Sequence, residues 1–215
     1  YWIGWSLQQE QRGDHAFPLF EDALTRFGND PKARAIGSIL SAYAQLYQRV
    51  GKTDRTLPDF DVWLQEASEQ SLTEGRLTWF ARLTLFKSQR QRTTHRNDQA
   101  DATLLSIHRF VPIAEQDAET LASVGLALLR GGYDSADDYS EQLLIEYPQH
   151  FERATAYYSK AQLAANADHL TEARRWLLRF LEETPTHRLA VDVRLLTANI
   201  LTQQGIYDGA RTSLN

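Results

Sequence analysis

A step of 37 residues runs through the chain and limits what it can fold into. Pro148 and Pro185 are 37 residues apart, and the Pro-x-His pairs ending at His150 and His187 repeat with them. Ala136 and Ala173 each lie twelve residues before those prolines, and Ala210 stands one further step on. Gly131, Asp168 and Gly205 keep the same interval, as do Val124, Ala161 and Ala198, and Ala44 and Ala81 upstream. Between Ala81 and Val124 the step is 43, so six extra residues fall there. Several separate slots on one period describe a supersecondary unit that is repeated and stacked.

Inside each unit the pattern is helical. Apolar residues recur at three- and four-residue spacing in Leu40, Tyr43, Ala44 and Tyr47, in Leu77, Phe80 and Ala81, in Ala154, Tyr157, Ala161 and Ala164, and in Leu177, Phe180 and Leu181. Gly13-Asp14, Gly51-Lys52, Gly131-Gly132, Asp168-His169 and Gly205 break these runs within units; Pro31, Pro58, Pro112, Pro148 and Pro185 separate them. No period-2 strand is visible. The expected helices pair as 1–12 with 15–27, 31–50 with 57–69, 72–90 with 98–112, 117–130 with 133–147, 150–166 with 169–184, and 187–204 with 206–215. That is an all-α chain of about six hairpins, in units near 1–30, 31–70, 71–113, 114–149, 150–186 and 187–215.

These slots resemble the tetratricopeptide repeat (TPR). Tyr157-x3-Ala161 matches its first helix, Ala173-x3-Leu177 and Pro185 its second helix and terminus, and Gly131-x-Tyr133-x2-Ala136 and Gly205-x-Tyr207-x2-Ala210 its turn. The family's unit is about 34 residues long, so this one is longer; Val124 also replaces the small residue once, and Thr56 and Pro18 depart from the pattern. The resemblance is closest over 117–215. It implies an α-solenoid, a right-handed superhelix with a concave groove lined by the first helix of each unit. Junctions such as Arg26-Phe27-x3-Pro31 and Glu146-Tyr147-Pro148-Gln149-His150 are similar to those of bacterial envelope repeat proteins, which tilts the expected location toward the periplasm.

Composition removes several alternatives. There is no Cys, hence no disulfide, thiolate nucleophile or Cys-based zinc site. No apolar stretch approaches the roughly 18 residues of a membrane span. The sequence holds no P-loop, G-x-S-x-G, H-E-x-x-H or dinucleotide fingerprint, so no catalytic residue, cofactor or metal is expected. With no Met, and with Tyr1-Trp2-Ile3-Gly4-Trp5 at one end and Ser213-Leu214-Asn215 at the other, the chain is expected to be a segment of a longer protein.

The residue after each small-residue slot falls, on this resemblance, in the groove: Gln8, Gln45, Arg82, Gly125, Gln162 and Asn199, with Arg49 and Tyr158 one turn away. Four of the six are amides, which both donate and accept hydrogen bonds and so suit peptide backbone or sugar hydroxyls. Arg90, Arg92 and Arg96 are expected in a basic loop at the six-residue insertion. The net charge of -5 weighs against nucleic acid. The expected function is a non-catalytic scaffold for a protein or peptide partner. A polysaccharide, as in a periplasmic exopolysaccharide-secretion scaffold, is one alternative; the helical arm of a larger enzyme or regulator is another.

Overall fold

The computed structural model describes residues 13–30, 33, 35–50 and 59–214. Among them are eleven α-helices, one 3-10 turn and no strand. The helices are α1 (Gly13–Phe27), α2 (Ile36–Val50), α3 (Phe60–Thr73), α4 (Leu77–Thr93), α5 (Asn97–Phe110), α6 (Ala118–Arg130), α7 (Ala136–Glu146), α8 (Arg153–Asn166), α9 (Leu170–Glu183), α10 (Ala190–Gln203) and α11 (Tyr207–Ser213). The expected helix over 1–12 lies outside the described residues. The chain divides into two compact units, Tyr1–Asp117 and Ala118–Asn215.

Each helix packs on the next within its unit, and α2 on α4, α6 on α8 and α8 on α10 as well. The repeated sequence slots are what close these contacts. Ala44, Ala81, Val124, Ala161 and Ala198 are buried, and so are Ala136, Ala173 and Ala210 on the facing helices. Small side chains here let backbones approach: a Cβ on Gly125 would sit 3.1 Å from the Cβ of Tyr139 on α7. In the first unit the core is aromatic, with Tyr43 buried against Phe17, Tyr47, Phe60 and Trp63 at centroid distances of 4.9 to 6.4 Å. In the second, Tyr157, Leu177 and Phe180 from α8 and α9 pack with Val193 and Ile200 of α10. Full burial of one such side chain contributes about 2 kcal/mol.

Two local rules set the helix ends. Five turns, after α3, α4, α6, α8 and α10, share one wiring around a residue in the left-handed region: Gly75, His95, Gly132, Asp168 and Gly205. In each, the amide of that residue donates to the carbonyl three back, and the next amide to the carbonyl five back, as Asp168 N to Ala165 O (3.0 Å) and His169 N to Ala164 O (2.8 Å). Helix-terminal carbonyls are thereby satisfied. The slot near 131 is filled by Gly132 rather than Gly131. The second rule is proline: α5, α7 and α9 end where Val111, Tyr147 and Thr184 leave the helical region, each directly before Pro112, Pro148 or Pro185.

Candidate functional site

In the second unit α8 packs with both α6 and α10. Along α8, Tyr158, Gln162 and Asn166 follow at four-residue spacing and so share one stripe. The Gln162 amide nitrogen donates to Asn166 Oδ1 at 3.0 Å, which fixes the orientation of both amides. Asn199 is exposed on α10. Tyr158 is half-buried, and its phenol is held above the usual range by burial and then by the charge of Asp192 on α10, against the lowering effect of Arg130 on α6. Arg130 of α6 and Asp192 of α10 therefore each come within electrostatic reach of the Tyr158 phenol on α8.

The first unit presents less of the expected row. Gln45 and Arg49 lie exposed one turn apart on α2, and Gln8 falls outside the described residues. Arg82 is a correction: it is buried at 9 % exposure and ties up the backbone of the α1–α2 link. Its Nη1 donates to the carbonyls of Gly28 (3.0 Å) and Asp30 (2.8 Å), its Nη2 to that of Ala33 (3.0 Å), and its Nε faces Asp117 Oδ2 at 3.4 Å. The link presses close to α4: a Cβ on Gly28 would lie 2.5 Å from Leu24 O and 2.7 Å from the Trp79 ring, and the Trp79 amide donates to Asn29 Oδ1 at 3.1 Å. Carbonyls turned inward need donors, and one guanidinium supplies them. Gly125 is likewise buried in the α6–α7 contact and lines no open surface.

The basic stretch is corrected in part. α4 continues through Thr93, so Arg90 and Arg92 stand on its last two turns and only Arg96 lies in the turn that follows. Arg90 pairs with Asp61 at 2.9 Å and covers the Phe60 ring at 5.0 Å, while Arg92 pairs with Asp101 on α5. Two of the three cations thus join helices within the unit. Arg96 caps no helix with its side chain and donates from Nε to Thr94 Oγ1 at 2.9 Å.

The repeated Pro-x-His pair has a structural role. His150 Nδ1 accepts from the Glu152 amide (3.2 Å) and His187 Nδ1 from the Leu189 amide (3.3 Å), so both rings tie down the approach to a helix. His187 is buried between Phe151 and Phe180, with centroids at 4.7 and 5.7 Å, and its Nε2 lies 3.5 Å from Glu152 Oε2. Glu152 also receives Arg188 and Thr155, each at 2.9 Å. Burial opposes its ionisation, but the contact with His187, the charge of Arg188 and the Thr155 hydroxyl outweigh that and hold its carboxyl below the usual range. A second knot joins Glu183 to Arg179 (2.8 Å), Arg153 (2.9 Å) and the Tyr157 hydroxyl (2.9 Å), again lowering the carboxyl, chiefly through the Arg179 bond. Sequence reasoning passed over both knots; their signal is the acid–base alternation at Glu152-Arg153 and Glu183, 26 residues from Tyr157.

Among the described residues, no three His, Cys, Asp or Glu side chains come together as a metal site, and no helix is long and apolar enough to cross a membrane. No protein-family model matches the chain, and no curated protein matches it.

Proposed function

We propose that the chain is a non-catalytic scaffold of TPR-like hairpins, stacked as an α-solenoid, that binds a protein or peptide through the side of the second unit formed by α6, α8 and α10. The stripe Tyr158–Gln162–Asn166 on α8, with Asn199 exposed on α10, which packs on α8, carries this reading. Amides offer paired donors and acceptors to an extended main chain, and a half-buried tyrosine gives a flat apolar seat with a polar tip. The packing of helices on their next and next-but-one neighbours supports the stacked arrangement.

The test is binding to a peptide array and a glycan array, with Tyr158→Ala plus Gln162→Ala as the comparison. Loss of peptide signals by an order of magnitude or so in the double variant is the expected result. Peptide signals unaffected by it, or signals confined to glycans, would count against the proposal.

A further inference from the structure

The two Pro-x-His joints, in register on the 37-residue step, make the same bond in different surroundings. In each, the histidine Nδ1 accepts from the amide two residues on, Glu152 N for His150 and Leu189 N for His187. An accepting Nδ1 keeps its lone pair, so the neutral ring of His187 carries its proton on Nε2. His150 is exposed, whereas the His187 side chain is fully buried between Phe151 and Phe180. Its Nε2–H makes no hydrogen bond, and the Glu152 Oε2 that it faces stands 3.5 Å away, beyond good hydrogen-bond length. The ring is thus bound on the side of α10 and stops one short step from a carboxylate at the start of α8.

The charged groups on the surrounding elements leave Glu152 as the anion for this ring. At the start of α8, Arg153 pairs at 2.9 Å with Glu183 from the end of α9, and Glu183 also holds Arg179. Glu182, in the same last turn of α9, is exposed. Arg188, next to the histidine, bonds Glu152 Oε2 at 2.9 Å, and Asp192 in the first turn of α10 acts on Tyr158. The backbone of His187 is held at both its groups: its amide donates to Thr184 O at 3.1 Å, and its carbonyl accepts from the Ala190 amide at 2.9 Å. A change of charge is therefore expressed by the ring rather than by the chain that carries it.

We infer that His187 is a proton-operated tether at the joint between α9 and α10: neutral, it holds the Leu189 amide that opens α10, and charged, it releases that amide and binds Glu152 at the start of α8. A second proton can enter only at Nδ1, on the lone pair that Leu189 uses, and an imidazolium donates from both nitrogens. The Leu189 amide then faces a donor and loses its acceptor, while Nε2–H presents a charge to Glu152. A charge-assisted bond is about 2.8 Å long, so the ring need move only about 0.7 Å. Histidine changes charge between about pH 5 and 8. Glu152, its carboxyl held below the usual range, is an anion throughout that window. The tether acts whether or not the α6–α8–α10 face binds a peptide.

The experiment follows the ring nitrogens and backbone amides of the full nitrogen-15-labelled chain by NMR from about pH 8 to about pH 5. At the upper end His187 should carry its proton on Nε2 and none on Nδ1. As the ring gains charge, protection of the Leu189 amide from hydrogen exchange, taken relative to an unstructured chain at the same pH, should fall about three- to tenfold, the worth of one ordinary hydrogen bond. Protection at Ala198, inside α10, should not change. His187→Asn sets an amide oxygen near the place of Nδ1 that cannot titrate, so Leu189 should be equally protected at both ends of the range. A neutral ring protonated on Nδ1, a ring whose charge does not change over the range, Leu189 protection that stays level through the titration, or a fall that persists in His187→Asn overturns the inference. The wild-type spectra decide by themselves if the buried substitution costs the fold.

Discussion

Arg82 does at one position what several loop residues would otherwise share. Its guanidinium meets three carbonyls of the α1–α2 link and Asp117 while almost fully buried. A lysine carries one ammonium and cannot fork across the set. Arg82→Lys is expected to cost about 3 kcal/mol, as loss of a buried charged partner does, seen as a lower urea midpoint with unchanged slope. An unchanged midpoint would mean the carbonyls find other donors. Gly28→Ala should also destabilise, because its Cβ meets backbone at 2.5 Å and backbone does not move aside cheaply. In the opposite direction, Asp168 and His95 hold φ values of 61° and 59°, where three sister turns use glycine. Asp168→Gly should raise stability by about 0.5 kcal/mol, the left-handed penalty removed exceeding the flexibility added to the unfolded chain. A fall in melting temperature would show that the Asp168 side chain contributes more than its backbone strain costs.

The helices themselves were largely legible. Small-residue slots on the 37-residue step lie buried because close packing leaves its mark on residue size, and Gly131-Gly132, Asp168-His169, Gly205, Pro112, Pro148 and Pro185 fall where helices stop, whereas Gly13-Asp14 opens α1 and the breakers at Pro31, Gly51-Lys52 and Pro58 lie outside the described residues. The end of α4 was not legible. Arg90-Gln91-Arg92-Thr93 has no apolar residue and reads as a loop, yet the helix continues because Asp61, Phe60 and Asp101 on its neighbours hold the two arginines. Nor could the burial of Arg82 be read, since the carbonyls it serves lie 49 to 54 residues upstream and backbone groups carry no residue type. Of the expected groove row, the α8 part forms a shared stripe, whereas Arg82 and Gly125 are consumed by packing. Ionic knots at helix ends bring a pH dependence. Glu152 and Glu183 titrate below 4.5 when folded, so the unfolded chain takes up protons first as acid is added. Their stabilisation is complete above about pH 4.5 and fades as pH falls through the lowered values. Glu183→Gln should therefore flatten the acid limb of a plot of melting temperature against pH, relative to wild type. An unaltered limb would assign the acid sensitivity elsewhere.

At the scale of the molecule, contacts divide the chain at Asp117–Ala118, and the second unit holds its own core from Ala154 to Ile200. Residues 118–215 produced alone should keep a helical spectrum and melt cooperatively; a broad, non-cooperative melt would mean that this core needs more than its own unit. Within each unit, helices pack on the next and the next but one, and on little else. That locality has a kinetic consequence. No contact of this kind asks the chain to close a long loop before it gains anything, so the search for the native state is made of short steps. Refolding should be fast, in the microsecond-to-millisecond range of low-contact-order proteins, and lengthening such a chain by whole hairpins should scarcely slow it.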